Sequence, residues 1–273
     1  MRELAPAKVN LSLLVGPVRE DGRHELVSLM QSIELCDSLE LADGERDEVL
    51  CPDVEGPNLA AAALAAFREA TGWAGPPQRI EIAKRIPVAA GMAGGSADAA
   101  ATLRLLARRA AVDDGELLLR LAAQLGSDVP SQLLPGRCVV RGGGELVVRL
   151  GDDEPFGVLV LPSHAALSTA AVYREADRLG LPRSAEELAA LDPIAMVGVN
   201  DLQQAAISLE PSIERALERA RGAGAHTAMV CGSGPTVVGL FDAHSEAERA
   251  AKQLAGAGVE AIAANSFAAI ASC

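Results

Sequence analysis

Three short stretches of this 273-residue chain carry residue types that chemistry uses. The first is Pro87-Val88-Ala89-Ala90-Gly91-Met92-Ala93-Gly94-Gly95-Ser96-Ala97-Asp98, after which Ala99, Leu103, Leu106 and Ala110 recur at helical spacing. Glycines let successive backbone N–H groups point into one concavity. A helix starting behind them adds its unpaired N–H groups and the positive end of its dipole. That is the chemistry of anion binding. One helix terminus contributes only ~0.3–1 kcal/mol to an anion, so a polyphosphate needs the whole loop together with a metal or cationic side chains. The loop is not a Walker P-loop, because no Gly-Lys-Ser/Thr follows it, and it lacks dinucleotide Gly-x-Gly-x-x-Gly spacing. A helix with Ser96 as N-cap and Asp98 capping its first turn accounts for the same residues without any ligand.

The other two glycine clusters are weaker signals. Arg141-Gly142-Gly143-Gly144-Glu145 lies between Cys138-Val139-Val140 and Leu146-Val147-Val148 and reads as a hairpin turn. Cys231-Gly232-Ser233-Gly234-Pro235-Thr236 joins two apolar strands and suits a turn or a ligand loop equally. Neither sets a serine in Gly-x-Ser-x-Gly, so a nucleophile-elbow hydrolase has no support. Taken alone, Lys8 reads as a solvated strand lysine and Asp128 as a loop or helix-end acid.

The elements that must position these stretches follow from periodicity. Residues 8–13, 32–35, 38–41 and 79–84 alternate as strands. A helix runs from Pro57-Asn58-Leu59 to Thr71 with Gly72 as its stop, and Gly115 to Leu125 forms another ahead of Gly126-Ser127-Asp128-Val129-Pro130. The acidic turn 151–155 is the natural seam, dividing 1–152 from 153–273. Beyond it come a buried strand at 156–161 and helices near 170–179, 185–190 and 211–222. A strand–loop–strand at 226–241, a helix at 245–256 and a last strand complete the chain. Strands and helices mix without strict βαβ alternation, so the fold class is α+β in two lobes.

Composition narrows the function. The balance of 24 basic against 37 acidic residues leaves a net charge of −13, which argues against non-specific nucleic-acid binding. No apolar run approaches the roughly 20 residues of a membrane helix, and residues 1–8 hold no signal-like apolar core, so a cytoplasmic protein is expected. The five cysteines are odd in number and scattered, as buried thiols of a reducing compartment would be, and they propose no zinc site. The four histidines are far apart, so the sequence marks no metal ligands. A chain this acidic can attract polyphosphates only by focusing cations in its cleft, for which Lys8, Lys84 and some of Arg23, Arg85, Arg137 and Arg141 are the candidates.

Pro6-Ala7-Lys8-Val9-Asn10-Leu11, the 87–98 loop and Cys231–Thr236 resemble, in order and separation, the three motifs of the GHMP kinase family. Asp21-Gly22-Arg23-His24-Glu25-Leu26, Gly126–Pro130 and Asn200-Asp201-Leu202 extend the resemblance toward members whose acceptor is a CDP-linked methylerythritol. The resemblance implies a two-lobed GHMP kinase fold, with an N-terminal lobe like ribosomal protein S5 domain 2, a ferredoxin-like C-terminal lobe and the site between them. It implies ATP with Mg²⁺ and a small-molecule alcohol as substrate. With the charge balance and the short apolar runs, the expected partners include no nucleic acid and no membrane, and a monomer or weak homodimer is expected. Another GHMP small-molecule kinase, or a non-catalytic nucleotide sensor, is the alternative.

Roles carry over by matching residues. Lys8 and Asp128 match the catalytic pair: Asp128 can take the hydroxyl proton, and Lys8 can stabilise the resulting charge and keep Asp128 ionised. Residues 87–97 match the phosphate loop, and Asn58 and Lys84 fall where the family approaches adenine. Asn10 matches a residue beside the acceptor, His24 the reader of the cytosine, Tyr173 an aromatic stacked on the base, and Thr169 (with Ser168) a contact to the diphosphate or ribose. Three departures stand out. Arg23 replaces the usual tyrosine of Asp-Gly-Tyr-His, and either stacks its guanidinium on the base or is solvated. Ala93 stands where glycine is usual, and Ser96-Ala97-Asp98 replaces a common Ser-Ser-Asn.

Overall fold

The computed structural model describes residues 1–52, 54, 56–88, 90–151, 154–163, 165 and 167–267. Chain order begins β1 (Arg2–Val18), β2 (His24–Asp43), β3 (Glu48–Leu50), α1 (Leu59–Thr71), β4 (Gln78–Ala83), α2 (Gly94–Ala110), α3 (Gly115–Leu125), α4 (Val129–Gln132), β5 (Arg137–Gly142) and β6 (Leu146–Arg149). These strands form one sheet in the order β3-β4-β2-β5-β6, with β1 paired to β2. There follow β7 (Gly157–Leu161), α5 (Thr169–Leu179), α6 (Ala185–Ala190), α7 (Gln203–Leu209), α8 (Ser212–Gly222), β8 (Thr227–Val230), β9 (Val237–Phe241), α9 (His244–Gly256) and β10 (Ile262–Asn265). The second sheet has the antiparallel order β10-β7-β9-β8.

The two short strands expected at 32–35 and 38–41 are one strand of 20 residues. Its length has a reason: β1 pairs along almost all of it, while β5 (against Leu26–Gln31) and β4 (against Ser38–Asp43) bond to different parts of it. The alternation of β1 is real, yet Lys8, Asn10 and Ser12 are buried along with their apolar neighbours. The polar face of this strand does not meet bulk water. Register shifts fall between Pro6 and Lys8 and between Asn10 and Ser12. Such bulges re-aim side chains locally, and these two bracket Lys8 and Asn10.

α1 starts where expected, with the Asn58 carboxamide oxygen accepting from the Ala60 N–H at 2.8 Å, and stops at Gly72 in the left-handed conformation. Small residues let it lie close on α2, with Ala60 and Ala63 in one apolar cluster with Ala97, Ala100 and Ala101, filled out by Phe67, Leu103 and Leu106. A second cluster joins α5, α7, α8 and α9 to the second sheet. A third contains Val9, Leu29 and Ile33 from the first sheet with Val158, Val160, Met229 and Val238 from the second. The short elements β3, α4 and α7 carry no expectation from periodicity, being too brief to show one. Cys138 and Cys231 are buried as expected, Cys36 and Cys51 only partly, and Cys273 lies outside the described residues. Among the described residues no helix is long and apolar enough to cross a membrane.

Candidate active site

Two cavities meet at the glycine-rich loop. The larger, of about 770 Å³, is lined from β1, β2, the Ser127-Asp128 turn, α5 and the Gly232-Ser233 loop. The smaller, of about 320 Å³, lies between the start of α1 and residues 84–98. Gly91 and Ala93 line both.

The loop is held by its neighbours as much as by its own turns. The Lys8 N–H donates to the Met92 carbonyl at 3.1 Å, tying the loop to β1. Gly91 has a φ of +72°, and a Cβ there would collide with the Cys231 carbonyl oxygen, so glycine is required twice over. Gly232 backs onto the same place: a Cβ on it would lie 3.5 Å from Asn10 Oδ1 and 3.6 Å from Lys8 Nζ. The third motif is therefore a wall of the site. Asn200 holds that wall, its Nδ2 donating to the carbonyls of Val230 at 2.9 Å and Gly232 at 2.8 Å.

α2 begins earlier than Ser96. Ala93 occupies the N-cap at φ 56°, no side chain caps the helix, and Gly94 and Gly95 already belong to it. Ser96 is thus not the N-cap, and Asp98 does not cap either. Asp98 is buried, and its Oδ2 accepts from Lys84 Nζ at 2.7 Å. The absence of a side-chain cap leaves the first N–H groups of α2 without that partner, as an anion site requires. Pro87, Val88, Ala90, Met92, Gly94, Gly95 and Ser96 line the smaller cavity with Asn58 and Lys84. Ala97 is buried in the α1–α2 core, and Ala89 lies outside the described residues.

Lys8 and Asp128 come together from positions 120 residues apart. Lys8 Nζ donates to Asn10 Oδ1 at 2.8 Å and stands 3.6 Å from Asp128 Oδ2. An ammonium can only donate, which fixes the Asn10 amide: its Nδ2 donates to Ser28 Oγ at 2.8 Å, and that hydroxyl donates to the Ser12 carbonyl at 2.6 Å. The chain of bonds locks Lys8 in place. The 3.6 Å separation is too long for a good hydrogen bond and too short to admit an atom between the two charges, so a substrate hydroxyl can meet both only by approaching from the open side. Asp128 sits at the head of α4, its side chain one-third exposed at 33%, while Gly144 of the β5–β6 turn packs against Ser127 beside it. The hairpin read from Arg141–Glu145 is present, and it also brings Gly143 to the larger cavity.

In the same cavity His24 and Tyr173 stack on one another, with centroids 5.1 Å apart and planes 29° apart. His24 Nδ1 meets the Gly16 carbonyl at 2.8 Å and so carries a proton, and Nε2 lies 3.3 Å from Asp177 Oδ1. Burial, aided by the charge of Asp128, pushes the Tyr173 hydroxyl up to about 12, so it stays a neutral phenol. Arg23 is half-exposed and tied to a neighbour. Its Nη2 and Nε bond to Asp21 at 2.8 and 3.1 Å while it lines the cavity. Thr169 Oγ1 lies 2.9 Å from Ser233 Oγ, and both line the cavity. Of the cations expected in the cleft, Lys8 and Arg23 line the larger cavity and Lys84 the smaller, whereas Arg85, Arg137 and Arg141 line neither. A further cation, Arg174, lines the larger cavity, as does the acid Asp177. Thr169, Tyr173 and Asp177 share one face of α5 at i, i+4 spacing, and that periodicity was the available signal for Asp177.

A mixed α/β chain with a glycine loop at a helix start, and a buried Lys–Asp pair beside it, has the parts of a small-molecule kinase. The GHMP kinases N terminal domain matches residues 58–136 and the GHMP kinases C terminal domain residues 171–260. The chain belongs to the GHMP kinase family. It is 42% identical to the 4-diphosphocytidyl-2-C-methyl-D-erythritol kinase of a Nocardioides species, covering 93% of each chain. It is 41% identical to the enzyme of that name from Streptomyces coelicolor, over 89% of this chain and 88% of the other. A crystal structure of 4-(cytidine 5'-diphospho)-2C-methyl-D-erythritol kinase superposes with a TM-score of 0.83 at 34% identity, covering 97% of this chain and 98% of that one. The mevalonate kinase of L. major, at 14% identity and a TM-score of 0.74 over 98% of this chain and 96% of its own, shares the fold.

Proposed function

We propose that the chain transfers the γ-phosphoryl group of ATP to the 2-hydroxyl of 4-diphosphocytidyl-2-C-methyl-D-erythritol, a step of the non-mevalonate route to isoprenoid precursors, in the cytoplasm. The observation that carries this reading is the Lys8–Asp128 pair, 3.6 Å apart, on a cavity that shares Gly91 and Ala93 with a second one. In this reading the smaller cavity takes the nucleotide and the larger takes the acceptor, so the phosphoryl group crosses at the loop. Residues 1–152 supply the loop and the catalytic pair, and residues 153–273 supply α5 and the third motif.

Phosphoryl transfer asks a protein for alignment and charge stabilisation more than for covalent chemistry. Asp128 accepts the proton of the attacking hydroxyl. Lys8, held by Asn10, stabilises the developing charge on oxygen. The loop N–H groups and the start of α2 hold the phosphates. His24, Tyr173 and Arg23 face the base, while Thr169 and Arg174 stand along the diphosphate. Magnesium accompanies ATP, but among the described residues no three His, Cys, Asp or Glu side chains converge. No step here runs through the ion.

The test is coupled ATP turnover with Mg²⁺ and the CDP-linked alcohol, run beside Asp128→Ala. Loss of a positioned base lowers kcat by roughly 10²–10⁴, with ATP affinity unchanged. Turnover only with another alcohol would move the chain to a different member of the family. ATP binding with no transfer to any alcohol would make it a sensor.

A further inference from the structure

Beneath the glycine loop, Lys84 is clamped between two carboxylates. Its Nζ donates to Asp37 Oδ2 at 2.5 Å and to Asp98 Oδ2 at 2.7 Å. The three side chains are 91% or more buried: 9% of Lys84, 5% of Asp98 and none of Asp37 is exposed. With both acids ionised the cluster carries one uncompensated negative charge in a water-poor place, directly under a loop suited to phosphates.

The two acids are not equivalent. Asp37 Oδ1 also accepts the backbone N–H groups of Arg85 at 2.6 Å and Ile86 at 2.9 Å, bonds that favour its charged form. Asp98 accepts from Lys84 alone, and its Oδ1 is buried with no partner at all. Asp98 also lines the smaller cavity. A proton entering the cluster therefore goes to Asp98.

The charged groups that face Asp98 are Lys84, from the segment after β4, and Asp37, from β2. The other elements packed on α2 contribute Ala60, Ala63, Leu64 and Phe67 from α1, Ala5 from β1, Leu121 and Ala122 from α3, and Val129 from α4, while the further acids they bring, Glu3 of β1 and Asp43 of β2, pair with Arg104, Arg108 and Arg109 farther along α2. Cys36, beside Asp37, is a neutral thiol, pushed up to about 11 by burial and by Asp37 itself.

We propose that Asp98 is a nucleotide-positioning residue whose carboxylate, facing that of Asp37, takes up a proton when the polyphosphate settles on the loop, turning a doubly acidic clamp on Lys84 into a neutral one. This inference rests on the reading of the smaller cavity as the nucleotide site. The electrostatics run in one direction: an incoming polyanion raises the cost of the buried negative charge, and a proton on Asp98 removes it. Burial already pushes Asp98 up to about 7, against the opposing pull of Lys84, so the switch lies in reach of ordinary pH. Lys84 itself stays charged: burial pulls it down, and the two carboxylates together outweigh that and hold it above its usual value.

The experiment is titration calorimetry of ATP binding without acceptor, in buffers of different ionisation enthalpy, from pH 6.5 to 8.5, on the wild type and Asp98→Asn. Each pH unit over which one extra proton is bound weakens affinity by up to about tenfold. Wild-type affinity should therefore fall severalfold more across this range than the variant's, and the wild type should take up more protons at pH 7.5. Asparagine mimics the neutral acid, so it should bind ATP at pH 8.5 at least as well as the wild type. Equal proton counts and parallel pH profiles would overturn the proposal while leaving the nucleotide site intact. A wild type that binds no ATP would overturn the nucleotide reading itself, and the proposal with it. A measurement on the wild type alone guards against a misfolded variant: ATP added at pH 7.5 should raise the protonated-carboxyl C=O band in the infrared difference spectrum, and its absence counts against Asp98.

Discussion

The two cavities treat a buried lysine in opposite ways. Beside the smaller one, Lys84 lies 2.5 and 2.7 Å from two carboxylates, one of them further held by two backbone N–H groups. Beside the larger one, Lys8 spends its short hydrogen bond on a neutral amide and faces its carboxylate from 3.6 Å. Lys8 is just as buried, at 4% exposure. A buried charge whose partners are complete braces the fold, because removing one leaves others uncompensated. A buried charge with a slack partner has capacity left for a substrate. The contrast separates two Lys–Asp sets that share residue types, and in the function proposed above the looser one does the chemistry.

The widest separation between them should come from Asp128→Ala set against Lys84→Met. The first should lower kcat by roughly 10²–10⁴ and barely move the melting temperature, since Asp128 makes no short side-chain bond. The second strands Asp37 and Asp98 with no cation between them, and losing one partner of a buried ion pair costs about 3–5 kcal/mol. In whatever Lys84→Met remains folded, KM for ATP should rise, because Lys84 lines the smaller cavity, while kcat at saturating ATP falls far less than in Asp128→Ala. The contrast breaks if Lys84→Met is stable and dead, or if Asp128→Ala is unstable and active. Next in size is Gly91→Ala, which meets both a positive φ and the Cys231 carbonyl. Left-handed backbone costs an L-residue roughly 1–2 kcal/mol, and overpacking roughly 1–3 kcal/mol more. Because Gly91 lines both cavities, KM should rise for ATP and for the acceptor together. A rise for one alone would mean that the loop does not couple the cavities.

The same two regions were unequally legible in the sequence. The smaller cavity is built from Cys51, Val54, Pro57-Asn58-Leu59 and a nearly continuous run from Lys84 to Asp98, so one glycine-rich window exposes most of its wall. The larger is assembled by topology from β1, β2, the Ser127-Asp128 turn, α5 and the third motif, and no local pattern says that these meet. Family resemblance supplied Lys8, Asp128, His24 and Tyr173, but Arg174 and Asp177 carry no motif. The α+β class and most elements were readable from periodicity, as were the Asn58 cap and the Gly72 stop. The start of α2 was not, since propensity favours Ser96 as a cap while Gly94 and Gly95 are already helical. Nor was the burial of Asp98, which depends on Lys84 arriving from another strand end.

The finest expected effect concerns Ala93, a non-glycine residue at φ 56° where the loop becomes a helix. The other end of α2 provides its control: Ala111 has φ 54°, is exposed and lines neither cavity. Left-handed geometry costs alanine roughly 1–2 kcal/mol, and glycine gives back about 0.4–1 kcal/mol through the greater freedom of its unfolded chain. Ala93→Gly and Ala111→Gly should therefore each stabilise by about 1 kcal/mol or less, a rise of at most ~2–4 °C in a chain of this size. Only Ala93→Gly should also alter KM for ATP, because a freer hinge must be ordered again when phosphate binds. Equal stability gains with KM untouched in both variants would mean that the strain at Ala93 is an ordinary helix-end cost, and that the loop is held in shape by Lys8, Cys231 and Gly91 alone.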